Sequence, residues 1–162
     1  LIDEVGPDVV RFFFLMRKSD SQLEFDLNLA ASQSQENPVY YVQYAYARLC
    51  SIAKQAEAQD FRRPDLADVS FSRLELPEDM ASLKTMSLYP GLVERAALDL
   101  EPHRLPFYLQ NLAAMFHSYY NKHRVLVDDA SLSGARLWFC EALRVLFRNG
   151  LQLIGVKAPE TM

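Results

Sequence analysis

The sequence predicts an all-α fold, an irregular helical bundle, and three observations predict it. Apolar residues return every three to four positions over long stretches, from Val39 to Ala56, from Leu105 to Tyr119 and from Phe139 to Ile154. That spacing lines one face of a helix. Five of the eight prolines (Pro7, Pro38, Pro77, Pro90 and Pro102) stand where such a stretch begins. The first helical amides have no partner, so a missing N–H costs nothing there. Apolar–polar alternation, the mark of a half-buried strand, occurs only from Leu23 to Leu27.

Each element has its own signals. Gly6-Pro7-Asp8 opens a helix that runs to about Arg17, with Asp8 near the positive end of its dipole. Lys18 to Ser21 breaks it, and the alternation at Leu23, Phe25 and Leu27 reads as a short extended stretch. Asn37-Pro38 caps the second helix. At 100° per residue, Val39, Val42, Ala45, Tyr46, Leu49, Ile52 and Ala53 gather on one side, while Tyr40, Tyr44, Arg48 and Ser51 gather on the other. A second, aromatic side on this helix needs a partner of its own. Residues 59–69 carry Arg62-Arg63-Pro64-Asp65 without periodicity and read as a surface loop.

Further helices are expected at about 77–88, 90–99 and 102–124. In the last of these Leu105, Leu109, Leu112, Phe116 and Tyr119 form the core stripe, with His117, Tyr120 and Arg124 along one flank. Asp128-Asp129 with Ser131, Ser133 and Gly134 reads as a turn, and the final helix is expected from about 135 to 154. Phe139, Ala142, Leu143, Leu146, Leu153 and Ile154 face its core side, Glu141, Arg144 and Arg148 its exposed side. Gly150 on the apolar face predicts close helix approach, and Gly155 before Pro159 a C-terminal stop.

Composition narrows the functional classes. A 162-residue chain hides roughly 70% of the surface its unfolded form exposes, so a core forms without metal or disulfide. With 50% apolar residues and 2 Cys, disorder and a disulfide scaffold are excluded. Apolar runs such as Phe12 to Met16 are far short of the ~20 residues of a membrane span. The chain opens Leu1-Ile2-Asp3-Glu4, without an initiator Met or signal peptide, and reads as cut from a longer one. Cys50 and Cys140 lie far apart, as free buried thiols would in a reducing, cytoplasmic compartment. Residues 1–101 hold 10 basic and 17 acidic side chains, residues 102–157 hold 7 and 3, so the overall charge of -4 conceals a basic carboxy-terminal third.

Enzymatic chemistry finds little support. His103, His117 and His123 form no i, i+4 pair, the cysteines are isolated, and no metal site is expected. No Gly-x-Ser-x-Gly elbow, phosphate loop or dinucleotide fingerprint is present, and 5 glycines are too few for a phosphate cradle. What remains is aromatic and basic: Tyr40, Tyr44 and Arg48 on one helix, His117, Tyr120 and Arg124 on another. Flat π surfaces beside cationic donors suit unstacked RNA bases and their phosphates. The same tyrosines would serve equally as core or half-core residues, or as a docking face for a partner helix.

Gly6-Pro7-Asp8-Val9-Val10-Arg11-Phe12 resembles the Gly-x-Asp-[Ala/Val]-aliphatic-Arg-[Phe/Tyr] stretch that follows the Lys-Met-Ser-Lys-type loop of class I aminoacyl-tRNA synthetases. Leu23-Glu24-Phe25-Asp26-Leu27, Glu36-Asn37-Pro38-Val39-Tyr40-Tyr41-Val42-Gln43-Tyr44-Ala45-Tyr46-Ala47-Arg48 and Phe116-His117-Ser118-Tyr119-Tyr120-Asn121-Lys122 resemble the arginyl-tRNA synthetase family in particular. So do Arg124-Val125-Leu126 and the stretch from Ala135-Arg136-Leu137 to Thr161-Met162. The resemblance covers essentially the whole chain.

It implies a fold of the class I synthetase anticodon-binding type, with residues 1–35 as the tail of the catalytic region and 36–162 as the α-helical anticodon-binding domain. It also implies recognition of the arginine tRNA by its anticodon stem-loop, in a parent that ligates arginine with ATP and magnesium. Tyr120 and Met162 match positions that contact the anticodon loop, and Arg124 a neighbouring position on that surface. Asn121, His117, Lys122, Tyr40, Tyr44 and Arg48 complete the expected tRNA-binding set, and Lys122, Arg124 or Arg148 is expected near the Met162 carboxylate.

Tyr46 departs from the family, which more often has His there. His-Ile-Gly-His and Lys-Met-Ser-Lys are absent, so the resemblance implies a fragment with no catalytic residue and no cofactor of its own, joined to an upstream catalytic domain in a monomer. A helical protein-interaction domain and the anticodon-binding domain of another class I synthetase are the alternatives.

Overall fold

A computed structural model describes residues 1–18 and 25–162. Among the described residues eight helices follow in order: α1 (Ile2–Val5), α2 (Pro7–Leu15), α3 (Leu27–Ala31), α4 (Pro38–Ala58), α5 (Pro77–Ser87), α6 (Tyr89–Leu98), α7 (Arg104–Lys122) and α8 (Ala130–Leu153). Single 3₁₀ turns lie at Leu66–Asp68 and Phe71–Arg73. There is no strand among the described residues, and no helix among them is long and apolar enough to cross a membrane. Leu23 and Glu24 of the alternating stretch at Leu23–Leu27 lie outside the described residues. Its last member, Leu27, begins α3, because Asp26 accepts a hydrogen bond from the Leu29 amide and caps a short helix.

Helix α4 is the centre of the bundle and packs on both α7 and α8. Its start is set by Asn37, which is 3% exposed. The Asn37 Oδ1 accepts from the Val39 and Tyr40 amides at 3.1 and 3.4 Å, while its Nδ2 donates to the carbonyls of Ala30 and Ser32. One side chain therefore caps α4 and ties down the end of α3. Helices α5 and α6 pack on the outer side of α7, and α2 packs on α4, where Phe12 is fully buried. The core consists of the expected stripes: Val39, Val42, Ala45, Tyr46, Leu49 and Ile52 of α4 meet Leu105, Leu109, Leu112, Phe116 and Tyr119 of α7.

Three expectations are corrected. Helix α8 begins at Ala130 rather than near 135, because Asp129 Oδ1 accepts from the Leu132 amide and caps it. Ser133 and Gly134, read as turn residues, lie inside α8 and receive neighbouring segments. The Ser133 hydroxyl accepts from the Val127 amide and donates to its carbonyl. A Cβ on Gly134 would stand 2.8 Å from Pro64. Secondly, Ala142 and Leu153 face outward, Leu153 being 54% exposed. The buried seam of α8 centres on Phe147 and Leu151 and leaves these two at its edge. Thirdly, α7 stops at Lys122 and His123 is extended, so Arg124 lies beyond the helix.

Close approach and termination occur where glycine predicted them. A Cβ on Gly150 would stand 2.7 Å from Leu109 Cδ2, so α7 and α8 approach over that residue. Gly155 has φ 69°, with its amide bonded to Gln152 O and the Val156 amide to Leu151 O. That is the paired bonding of a Schellman stop. The following tail is held by Gln43 Nε2 donating to Lys157 O and by the Lys157 amide donating to Asp8 Oδ2.

Candidate nucleic-acid interface

The two aromatic-basic groups predicted on separate helices form one cluster. Arg48 lies between two rings, with Cζ 4.6 Å from the Tyr44 centroid and 4.6 Å from that of Tyr120. Its Nη2 donates to Tyr44 Oη at 2.8 Å, and its Nη1 stands 3.3 Å from His117 Nδ1. Tyr40 extends the stack, its ring 6.1 Å from Tyr44 at an interplanar angle of 9°. Tyr40, Tyr44, Arg48 and Tyr120 are half-buried, whereas His117 is 8% exposed and sits behind them. His117 packs 4.6 Å from the Tyr41 ring and 5.7 Å from Tyr44. Burial is the largest influence on its imidazole and holds it below its ordinary value. Burial likewise pushes the Tyr41 phenol up.

Local sequence explains the convergence. Tyr40, Tyr44 and Arg48 are four residues apart on α4, so they form a ladder on one side. Phe116 and Tyr120 stand four apart on α7 and pack ring to ring, 6.0 Å between centroids. Where α4 crosses α7, the two ladders interlock around the guanidinium. Arg48 thus lies against two rings while its N–H groups meet a phenol oxygen and an imidazole nitrogen, which fixes it where a lysine could not be fixed.

A groove lies at each end of this stack. At one end a cavity of about 510 Å³ is lined by Tyr40, Gln43, Asn37, Pro159 and Met162, with Glu4 and Val9 opposite. Met162, 51% exposed, is thereby brought to the Tyr40 end. At the other end a cavity of about 580 Å³ is lined by Tyr120, Asn121, Lys122 and Arg124 together with Gln55 of α4 and Gln59, which caps its end. The Arg124 backbone is pinned by Arg136, whose Nη1 donates to its carbonyl at 2.6 Å, and Val125 is buried beneath. This leaves the Arg124 side chain exposed.

Two expectations about charge change. Lys122 is bound to Glu78, Nζ to Oε1 at 3.1 Å, and a backbone hydrogen bond followed by this pairing holds that carboxyl below its usual range. None of Lys122, Arg124 and Arg148 lines the cavity that contains Met162, so the charge expected beside its carboxylate is not theirs. Arg148 lines a separate hollow with Tyr46 and Lys157. Tyr46 itself is 3% exposed and belongs to the core.

Gln43, Gln55 and Gln59 were not singled out by sequence. Gln43 is three residues from Tyr40, and Gln55 and Gln59 continue the i+7 and i+11 positions from Arg48, so helical spacing carried the signal. Glutamine has no charge or ring to draw attention to it. Cys50 and Cys140 are both free and buried, and burial pushes the Cys140 thiol up to about 12.

A family model described as the DALR anticodon binding domain matches residues 42–162. The chain is 59% identical over 162 residues to a protein of Syntrophotalea carbinolica and 54% identical to one of Desulfotalea psychrophila, both called arginine–tRNA ligase. All of this chain is covered but only 29% of each relative, so it spans less than a third of their length. Among solved structures, Thermus thermophilus arginyl-tRNA synthetase superposes with a TM-score of 0.78 at 30% identity, over 98% of this chain and 27% of that one.

Proposed function

Since the chain belongs to the DALR anticodon-binding domain family, we propose that it is the tRNA-reading end of an arginine–tRNA ligase that works in the cytoplasm. In this reading residues 1–35 close the catalytic region and 36–162 bind the anticodon stem-loop of the arginine tRNA. The observation that carries it is the half-exposed stack of Tyr40, Tyr44, Arg48 and Tyr120, open at both ends to grooves holding Met162 and Arg124.

Bases of an anticodon loop are splayed out and stack on flat side chains, each stack contributing roughly 1–3 kcal/mol. Tyr120 and the Met162 thioether are assigned to such bases, with Tyr40, Tyr44 and Arg48 supplying the platform between them. Arg124 and Asn121 are assigned to the backbone of the loop, with Lys122 anchored on Glu78 beside them, and His117 to holding the platform from behind.

In this reading ATP and magnesium, which a ligase of this kind uses to activate arginine, belong to the catalytic part of the parent. Neither class I signature motif occurs in the sequence. Adenylate formation is therefore assigned to an upstream part of a longer, monomeric chain.

The test is a binding titration of the full-length protein with transcribed arginine tRNA and with the same tRNA mutated in its anticodon. Tighter binding of the first is expected, and equal affinity overturns the reading. In the same protein Tyr120→Ala is expected to lose aminoacylation efficiency while keeping its folded far-UV spectrum.

A further inference from the structure

His117 offers nothing directly to a ligand, because both of its ring nitrogens are engaged inside the protein. Nε2 lies 3.3 Å from the Tyr41 carbonyl oxygen, and Nδ1 lies 3.3 Å from Arg48 Nη1. A carbonyl only accepts and a guanidinium only donates. The two neighbours together fix the tautomer: Nε2 carries the proton and donates to Tyr41, and bare Nδ1 accepts from Arg48. Arg48 in turn is the piece held between the Tyr44 and Tyr120 rings.

A second proton has one place to go, Nδ1, where it would meet the Arg48 N–H and set two cations against each other. The groups facing the ring are Tyr41, Tyr44 and Arg48 from α4 and Phe116 from its own helix, with Tyr120 reached through Arg48. Arg48 is the charged one among these, and none is a carboxylate. Burial lowers the imidazole most, the Tyr41 bond raises it, and the Arg48 charge lowers it again, with a downward net effect.

We propose that His117 is a positioning residue whose neutral, Nε2-protonated ring fixes Arg48 between Tyr44 and Tyr120, and whose protonation releases the guanidinium and disorders the stacking platform. The proposal rests on the tRNA-binding role given above to that platform. It makes anticodon binding acid-sensitive through a side chain that touches no nucleotide. The sign follows from linkage. The unfolded chain takes up the proton near pH 6.5, the folded one only lower. The stabilisation by the neutral ring is therefore complete above about 6.5 and is lost as pH falls from there through the folded value.

The experiment uses the full-length protein, as wild type and as His117→Gln, whose amide oxygen can accept from Arg48 and whose amide nitrogen can donate to Tyr41 without titrating. Nitrogen-15 spectra of the wild-type imidazole are expected to show Nε2 protonated and Nδ1 bare at neutral pH, with the Tyr44 and Tyr120 ring resonances shifting as His117 titrates. Affinity for arginine tRNA is expected to fall roughly tenfold in the wild type across the acidic range in which its imidazole spectrum reports protonation, the size of one lost hydrogen bond to a charged group, and to stay flat in His117→Gln. An Nδ1-protonated ring, a titration that leaves both tyrosine rings unmoved, or parallel pH profiles in the two proteins would overturn it. Loss of discrimination against the anticodon mutant at neutral pH overturns the tRNA reading instead, and the imidazole and tyrosine spectra still decide the role of His117.

Discussion

Arg48 shows how a single side chain can be both structural and available. Its guanidinium is held by two ring faces, a phenol oxygen and an imidazole nitrogen, yet it stays half-exposed on the same strip as Tyr40 and Tyr120. Lysine would keep the charge but lose planarity: an ammonium cannot lie flat against two rings and donate in its plane at once. Arg48→Lys is therefore expected to lower stability by about 1–2 kcal/mol in urea unfolding. It should also weaken arginine tRNA binding more than its preserved charge would suggest. Unchanged stability would mean that the rings hold each other without the cation. The residues of this cluster were legible in the sequence because rings and charges at i, i+4 spacing are conspicuous. Their interlocking was not, since the crossing of α4 and α7 depends on the packing of both apolar faces, which no single-helix pattern encodes.

At the scale of elements, two positions carry more than their own helix. Asn37 caps α4 and also satisfies two carbonyls of the preceding segment from a site 3% exposed. Asn37→Ala removes a cap and leaves those carbonyls buried without partners, with an expected loss of about 2–3 kcal/mol in chemical denaturation. A loss of only a few tenths would show that water replaces the amide. Gly150 sets the approach of α7 and α8. Gly150→Ala gains about 1 kcal/mol in helix propensity, but its Cβ meets Leu109, fully buried and unable to swing aside. Overpacking costs about 1–3 kcal/mol, so the net effect is destabilising. Combining it with Leu109→Ala should cost less than the sum of the two changes, by about 1 kcal/mol or more, and strict additivity would disprove the contact. Gly150 and Gly155 were readable from sequence because small residues inside and just past a helix have few other uses. Ser131, Ser133 and Gly134 misled for the converse reason: their composition is that of a turn. Inside α8 their small size instead admits Pro64 and the 123–127 segment, a tertiary use that local propensity cannot reveal.

Across the whole molecule the charge is divided between packing and surface. Net charge alone argues against a polyanion partner, and the basic carboxy-terminal third argues for one, but neither count says which cations are available. Arg104 is bound to Glu101 and Asp99, Lys122 to Glu78, and Arg144 bidentately to Glu141, while Arg136 serves the Arg124 carbonyl. Arg124, Arg148 and Lys157 form no ion pair among the described residues and are exposed. Four of the seven cations of residues 102–157 are thus committed internally, and stacking on the tyrosine platform is left as the main source of affinity. With about three cations free and roughly 0.7–0.9 counterions released per phosphate contact, binding of an isolated anticodon stem-loop RNA should weaken with salt along a log–log slope of about −2 to −3. The measurement is a fluorescence titration over a tenfold range of monovalent salt. A slope of about −6 or steeper would require phosphate contacts from the cations now held in ion pairs, and would move recognition from the aromatic strip to the charged surface.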